Sequence, residues 1–531
     1  MKKIKWLFLF SFVLSAAIMA QHKQKENAES GYPTNRESLT TKSTYTNSVI
    51  RGDMADPTVI KTDDTYFMTA TSSEWAPHYP TYESKDLINW TQVGHIFDQK
   101  PDWTSNSFWA PELYLLNGKI HCYYTARKTS DGISAIGVAV ADSYTDEFVD
   151  HGIIIEHEKE AIDAFVFEDN GQHYISWKAY GLDNRPIEIL ASKLSSDGLR
   201  LEGEPFSLLK DDEKIGMEGQ AHYKIGDYYY IIYAARGCCG FNSDYDVRIA
   251  RSKNLKGPYE KHEENPILYG GKNDFISIGH GTMVTTEDWR YWYLCHGYVN
   301  GDSRYLGRQP VLQELVMNDD DWLVFKNGPI AKLHGAMPFE GTVQQPVQDF
   351  TDDFKNKTLT KDWTWNYHFY DVNKEIKNGK LFLSGTPTKE SNTGSVLCVK
   401  AQTPDYDYET QIIEKRNGFS GLTMYGDDKR LIAWGVENGK LLLRQVQGGS
   451  TEELFSLNKP IKKPELKIEV RNGHQLMFYY KNKNKQWVAV SDDPIDVSSL
   501  ARWDRTFRPG LIHNGKANKP AVFTYFNLKN K

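Results

Sequence analysis

Five segments in the first two thirds of the chain repeat one pattern: a turn residue, an aromatic-rich strand, a polar loop and a second strand. They are Asp64-Thr65-Tyr66-Phe67-Met68, Gly118-Lys119-Ile120-His121-Cys122-Tyr123, Gly171-Gln172-His173-Tyr174-Ile175, Gly226-Asp227-Tyr228-Tyr229-Tyr230 and Asp288-Trp289-Arg290-Tyr291-Trp292. Their turn residues lie about 53 to 62 positions apart, close to the length of a four-stranded blade. Three of the units carry a second echo, at Ser84-Lys85-Asp86-Leu87, Ser192-Lys193-Leu194 and Ser252-Lys253-Asn254-Leu255. Runs of Tyr, Phe, Ile and Val broken by Gly, Asp and Asn, with hardly a helical period, make the chain all-β. The repeat predicts a five-bladed β-propeller over residues 49–338. A sandwich of repeated hairpins would not readily produce five units of similar length.

The flanks read differently. Residues 1–20 place Lys2-Lys3-Ile4-Lys5 before an apolar stretch from Trp6 to Ala20, the form of a secretory signal peptide. A membrane anchor needs about 20 apolar residues, and this run is shorter. Residues 21–48 are polar and aperiodic, which predicts a flexible leader. Residues 339–348 form a linker, and from 349 to 531 the blade period gives way to two-residue alternation, as in Glu465-Leu466-Lys467-Ile468-Glu469-Val470. Such strands bury one face each and suit a β-sandwich. With 63 Lys plus Arg against 70 Asp plus Glu, the chain has no basic footprint for phosphate backbones, which excludes nucleic acid as a partner. No later segment could span a bilayer, so an exported protein, periplasmic or extracellular, is expected. Its five cysteines cannot all pair. Cys238-Cys239 reads equally as a vicinal bridge or as two neighbouring buried thiols.

Counting back eight positions from each turn residue gives Asp56, Ala110, Asp163, Glu218 and His280. The first strand of each blade lines the central channel, so equivalent positions converge near the axis. Singly, each residue has a bland reading: a turn at Asp56-Pro57, a loop cap at Asp163, a hairpin at Glu218-Gly219, a core histidine at His280. Their shared register is what asks for a function, because unpaired buried charge is costly. Converging carboxylates suit glycosidic bond cleavage, in which one group must be protonated to release the leaving oxygen while another activates water.

These residues resemble glycoside hydrolase family 43 over residues 50 to 338. Ala55-Asp56-Pro57 resembles its general-base motif, Phe108-Trp109-Ala110-Pro111-Glu112 the start of its second blade, and Ile162-Asp163-Ala164-Phe165-Val166-Phe167 the segment of its third carboxylate. Met217-Glu218-Gly219 resembles its general-acid segment, and Ile278-Gly279-His280-Gly281 the histidine that helps hold calcium in many members. The resemblance implies a five-bladed catalytic propeller that inverts configuration, with Asp56 as base, Glu218 as acid and Asp163 tuning and orienting the acid. It implies no required cofactor, and a structural calcium near the axis reached by His280 through water. Arg308 resembles a substrate-contacting arginine, and Trp75, Trp103 and Trp109 fall where an aromatic face could stack on a sugar ring. Ala164 and Gln220 stand where the family often has Pro, which bears on subsites more than on the carboxylates. Related fructan-cleaving propellers carry Arg-Asp-Pro and Glu-Cys, which Ile162-Asp163 and Glu218-Gly219 do not match.

The region 349–531 is similar to the concanavalin-like sandwich of the β-xylosidase branch, where it can lend a loop to the pocket rim. The alternatives are a separate carbohydrate-binding module with Trp363, Trp365, Tyr367 and Tyr370 exposed, and a scaffold that only buries a propeller face. The expected function is exo-release of terminal α-L-arabinofuranosyl or β-D-xylosyl residues from plant-type poly- or oligosaccharide. The alternatives are an exo-galactosidase of the same family and a non-catalytic glycan-binding propeller.

Overall fold

The computed structural model describes residues 43–180, 186–391, 393–413, 418–458, 461 and 463–531. The expected signal peptide and all but the end of the expected leader lie outside these residues. Among the described residues no helix is long and apolar enough to cross a membrane.

Five antiparallel sheets follow one another along the chain, spanning Thr58–Phe97, Thr104–Ile155, Ala161–Lys210, Met217–Lys261 and Phe275–Phe325. Within each, the strands pair in sequence order, the arrangement of propeller blades; the fourth also takes up the short strand Leu268–Tyr269. Neighbouring blades share apolar layers. Val59, Tyr66 and Met68 of blade I pack with Trp292, Leu294 and Leu312 of blade V, which closes the ring.

The ring is also stitched by a segment that the sequence assigns to the leader. Thr44–Thr46 pairs with His334–Ala336. Tyr45 is buried with its hydroxyl donating to the Leu312 carbonyl, and the Asn47 side chain both donates to and accepts from the Leu312 backbone. The folded propeller therefore begins by residue 44, not 49. The low apolar content of Thr44-Tyr45-Thr46-Asn47 hides a segment held by hydrogen bonds and one tyrosine. The expected linker is likewise tied down, since Gln344 exchanges hydrogen bonds with the Thr46 backbone and Gln345 donates to Asn89.

The C-terminal region forms two antiparallel sheets. In one, Tyr406–Ile412 and Glu465–Arg471 alternate between buried and half-buried residues, as a sheet with one covered face must. The other is buried on both faces. Leu422, Met424, Ile432 and Trp434 point into the sandwich core, while Tyr425, Leu431 and Ala433, one position out of phase, form a separate cluster with Trp75 of the propeller. One sheet thus serves as core and as domain interface.

This corrects two expectations. Trp75 does not face a substrate; it lies in the interface, edge-on to Tyr425 at 5.6 Å with the Arg508 guanidinium 4.4 Å from its ring. The four aromatics of a supposed binding module are not an exposed platform either. Trp363 and Tyr370 are in the sandwich core, Trp365 pairs its backbone with Ala76, and Tyr367 packs against His78 and Phe108.

Candidate active site

Five backbone positions on the channel share one unusual conformation. Asp56, Ala110, Asp163, Gly219 and His280 have φ of 53°, 37°, 59°, 59° and 40°. A positive φ is unfavourable for residues with a Cβ, and in blades II to V these positions fall at irregularities of the ladder that turn a side chain out of the sheet plane. In blades I to IV each lies seven residues before the first turn residue, Asp63, Asn117, Asn170 and Gly226, which also has positive φ. The true equivalent in blade IV is therefore Gly219. Counting from Gly226 as though it were the second turn residue lands on Glu218, its neighbour. Only glycine fits here, because a Cβ on Gly219 would come within 2.6 Å of the His280 ring.

Asp56 is the most heavily contacted carboxylate. Its Oδ2 accepts from Thr71 Oγ1 at 2.6 Å, and the Thr71 oxygen in turn accepts the Ala110 N–H at 2.8 Å, which aims the hydroxyl proton at Asp56. Around Oδ1 stand His296 Nδ1 at 3.1 Å, His280 Nδ1 at 3.4 Å and Arg308 Nη1 at 3.5 Å. Burial alone would raise its pKa, but Arg308, His296 and His280 outweigh burial and hold the carboxyl far below the ordinary range. Burial pulls His296 itself down to about 4.

Asp163 has the opposite balance. Its Oδ2 accepts the Gly219 N–H at 2.9 Å and stands 3.8 Å from His280 Nδ1. Burial pushes its pKa up to about 7 against the pull of His280, with Glu218 and Asp56 adding to the rise. Glu218 is held from both sides, by Lys178 Nζ at 3.3 Å from Oε2 and by the Tyr245 hydroxyl, which donates to Oε1 at 3.0 Å. The Lys178 side chain is wholly buried, so its charge is directed at this carboxylate. Burial thus favours the protonated form of Asp163, and its Gly219 contact ties it to the backbone next to Glu218.

The three carboxylates line one cavity of about 340 Å³ with Trp109, Arg127, Lys159, Glu160, His280 and Arg308. That is the lower end of the range for small-molecule sites, about 300–1,000 Å³. The sandwich contributes Trp503 and Asp504 to the wall. Trp109 meets Trp503 edge-on at 6.2 Å. Arg308 is positioned by its backbone N–H on Asp53 Oδ1 and by Nη2 on the Asp504 carbonyl. Gly307 before it has φ of 85°, and a Cβ there would strike Asp53. Trp103, by contrast, does not line the cavity; it stacks on Tyr124 and donates to its hydroxyl at 3.1 Å, as packing within blade II.

The side chains around His280 do not by themselves supply the six to eight oxygens that calcium prefers, since Nδ1 faces Asp56 and Asp163. Among the described residues no group of three or more His, Cys, Asp or Glu is arranged to hold a metal. Cys238 and Cys239 form a disulfide that lines the same cavity, while Cys122, Cys295 and Cys398 are free and buried.

Thr71, Lys178, Tyr245, His296 and Trp503 were not singled out from the sequence. Two had a signal. Lys178 and His296 interrupt apolar second strands, at Ile175-Ser176-Trp177-Lys178-Ala179 and Tyr293-Leu294-Cys295-His296, where a polar group needs a partner.

The chain is similar to known glycosidases. A β-xylosidase of Bacillus subtilis is 29% identical over 92% of this chain and 99% of its own length, and a non-reducing end α-L-arabinofuranosidase of Bacteroides ovatus is 27% identical over 73% and 74%. Among solved structures, a xylan β-1,4-xylosidase of Bacillus halodurans superposes with a TM-score of 0.78 at 23% identity, over 91% of this chain and all of that one. A family 43 protein of Bacillus licheniformis gives 0.79 at 21%, over 92% and 100%. The β-xylosidase C-terminal concanavalin A-like domain matches residues 351–510, and the model of glycosyl hydrolases family 43 matches residues 45–323. The chain is a glycoside hydrolase and belongs to family 43, with the propeller as its catalytic domain and the concanavalin-like sandwich behind it.

Proposed function

We propose that the protein is an exported, inverting exo-glycosidase that removes terminal α-L-arabinofuranosyl or β-D-xylosyl residues from plant-type polysaccharide or its oligosaccharides. The observation that carries this reading is the unequal treatment of three carboxylates in one small cavity. Asp56, ringed by Arg308, His296 and His280, stays ionised and suits a base that takes a proton from water attacking the anomeric carbon. Glu218 delivers a proton to the departing glycosidic oxygen. Asp163, whose burial favours its protonated form and which accepts the Gly219 N–H, orients the acid's backbone and tunes the acid. Lys178 and Tyr245 then receive the carboxylate that Glu218 becomes after transfer.

The pentose assignment is supported by relatives named as a β-xylosidase and as a non-reducing end arabinofuranosidase. Exo action is supported by Trp503 and Asp504, which the sandwich contributes to the cavity wall. Export is supported by the apolar segment before residue 21 and by the disulfide, a bond that persists in oxidising compartments. Hydrolysis of paired aryl α-L-arabinofuranoside and aryl β-D-xyloside tests the reading. Release of one or both pentoses is the expected result; release of neither, with turnover of a galactoside instead, would overturn it.

A further inference from the structure

Cys238 and Cys239, joined in a disulfide on the loop 237–244 of blade IV, line the same cavity as Glu218, and both ends of that loop flank the acid: Ala234 pairs with Glu218 before it and Tyr245 bonds Glu218 after it. Several contacts hold the loop. The Gly237 N–H donates to Asp244 Oδ1 at 2.9 Å, and the Ser243 hydroxyl is shared by the Gly237 and Cys238 carbonyls at 2.8 and 2.9 Å. The Gly240 N–H donates to the Tyr298 hydroxyl at 3.1 Å, Gly240 lies against the Trp503 backbone, and Phe241 packs on Tyr305. Next after the loop comes Tyr245, whose hydroxyl holds Glu218. The disulfide is only half-buried, and it faces a cavity whose lining is otherwise rich in charge.

A disulfide in such a place has a definite chemistry. Two bonded sulfurs present a polarizable ridge with no hydrogen to donate and weak acceptor strength, whereas two thiols rotate independently. A pyranose or furanose ring has an apolar C–H surface that suits such a ridge, and its hydroxyls suit the charged walls around it. Because the acid must face the glycosidic oxygen, the surface adjoining the acid meets the sugar on the leaving side of that bond. We infer that the Cys238–Cys239 disulfide is the platform on which the leaving-group sugar of a bound oligosaccharide rests, an inference that depends on Glu218 being the acid. No other disulfide exists in the chain, since the remaining three cysteines are free, so a thiol reagent reaches this bond alone.

The test compares a substrate with a leaving-group sugar and one without. For a xylosidase the pair is xylobiose and β-D-xylosyl fluoride; for an arabinofuranosidase, α-1,5-arabinobiose and α-L-arabinofuranosyl fluoride. Each is measured with wild type, with wild type reduced by dithiothreitol, and with Cys238→Ala combined with Cys239→Ala. Reduction transfers two electrons and two protons from the dithiol to the sulfurs, leaving two thiols and the cyclic disulfide of the reagent; alkylation and mass spectrometry count the thiols. The expected result is that the ratio of kcat/KM on disaccharide to kcat/KM on fluoride falls about tenfold in both altered forms, mainly through KM, the scale of one lost apolar contact in a sugar pocket. Reoxidation restores it in wild type only. An unchanged ratio in both forms, or an equal loss on both substrates, overturns the inference. Wild type that cleaves neither fluoride defeats the pentose assignment instead, and the ratio is then read with the corresponding galactosyl pair.

Discussion

Arg308 donates from Nη2 to the main-chain carbonyl of Asp504 at 2.8 Å, so a residue of the sandwich fixes the arginine that stands 3.5 Å from Asp56. The second domain therefore helps build the cavity that holds the three carboxylates. Its contact is to backbone oxygen, which no side-chain substitution at residue 504 removes directly.

Arg308→Lys tests that link. A lysine ammonium is a single point charge and cannot bridge Asp56 and the Asp504 carbonyl as a planar fork does. We expect kcat/KM to fall about a hundredfold or more, roughly 3 kcal/mol of transition-state stabilisation, with circular dichroism unchanged. Activity within a few-fold of wild type would remove Arg308 from the site.

Asp163→Asn separates stability from activity. A carboxyl whose pKa is raised in the fold, here to about 7, keeps its proton there between its unfolded value and that pH. The stability due to that proton is complete below the unfolded pKa and is lost as pH rises through about 7. Asparagine still accepts the Gly219 N–H and carries no charge. The variant should therefore gain up to about 4 kcal/mol over wild type at pH 8, and little at pH 4, in urea unfolding. Its activity should drop, and the alkaline limb near pH 7 expected of wild type should be lost.

Glu218→Gln should bind substrate yet lose about 10²- to 10⁴-fold in kcat on sugar leaving groups. Aryl glycosides with activated leaving groups need little protonation and should be spared. Equal losses on both kinds of substrate would contradict the acid role.

Trp75→Ala should behave as a packing defect. The side chain is buried between the domains against Tyr425 and Arg508, so truncation should cost about 3–5 kcal/mol of stability. KM at a temperature where the variant is folded should stay near wild type. A large rise in KM without loss of stability would restore Trp75 to the substrate site.

The propeller was legible because a blade is a local unit, and the fixed distance from turn to channel repeats in the sequence. The same arithmetic found Asp56, Ala110, Asp163 and His280, and reached Glu218 through a one-residue difference in how the blade IV turn is counted. What it missed is non-local. Thr71 reaches Asp56 from the stretch after the second strand of blade I, His296 from a strand of blade V, and Trp503 from the second domain. Tryptophans near the channel could not be sorted from sequence, because Trp75 and Trp103 differ from Trp109 only in which side of the blade they pack. The role of Thr44-Tyr45-Thr46 was hidden for the same reason, since its partner strand lies at His334–Ala336.

The central claim is that Asp56 activates water for a single inverting displacement assisted by Glu218. It is tested most directly by following the anomer of the released pentose with proton NMR, for wild type and for Asp56→Ala, on the aryl pentoside that wild type cleaves. The account predicts that the first-formed sugar has the inverted configuration and mutarotates afterwards, and that Asp56→Ala releases about 10³-fold less or none. A first product of retained configuration, or an Asp56→Ala protein that works at a wild-type rate, would contradict it.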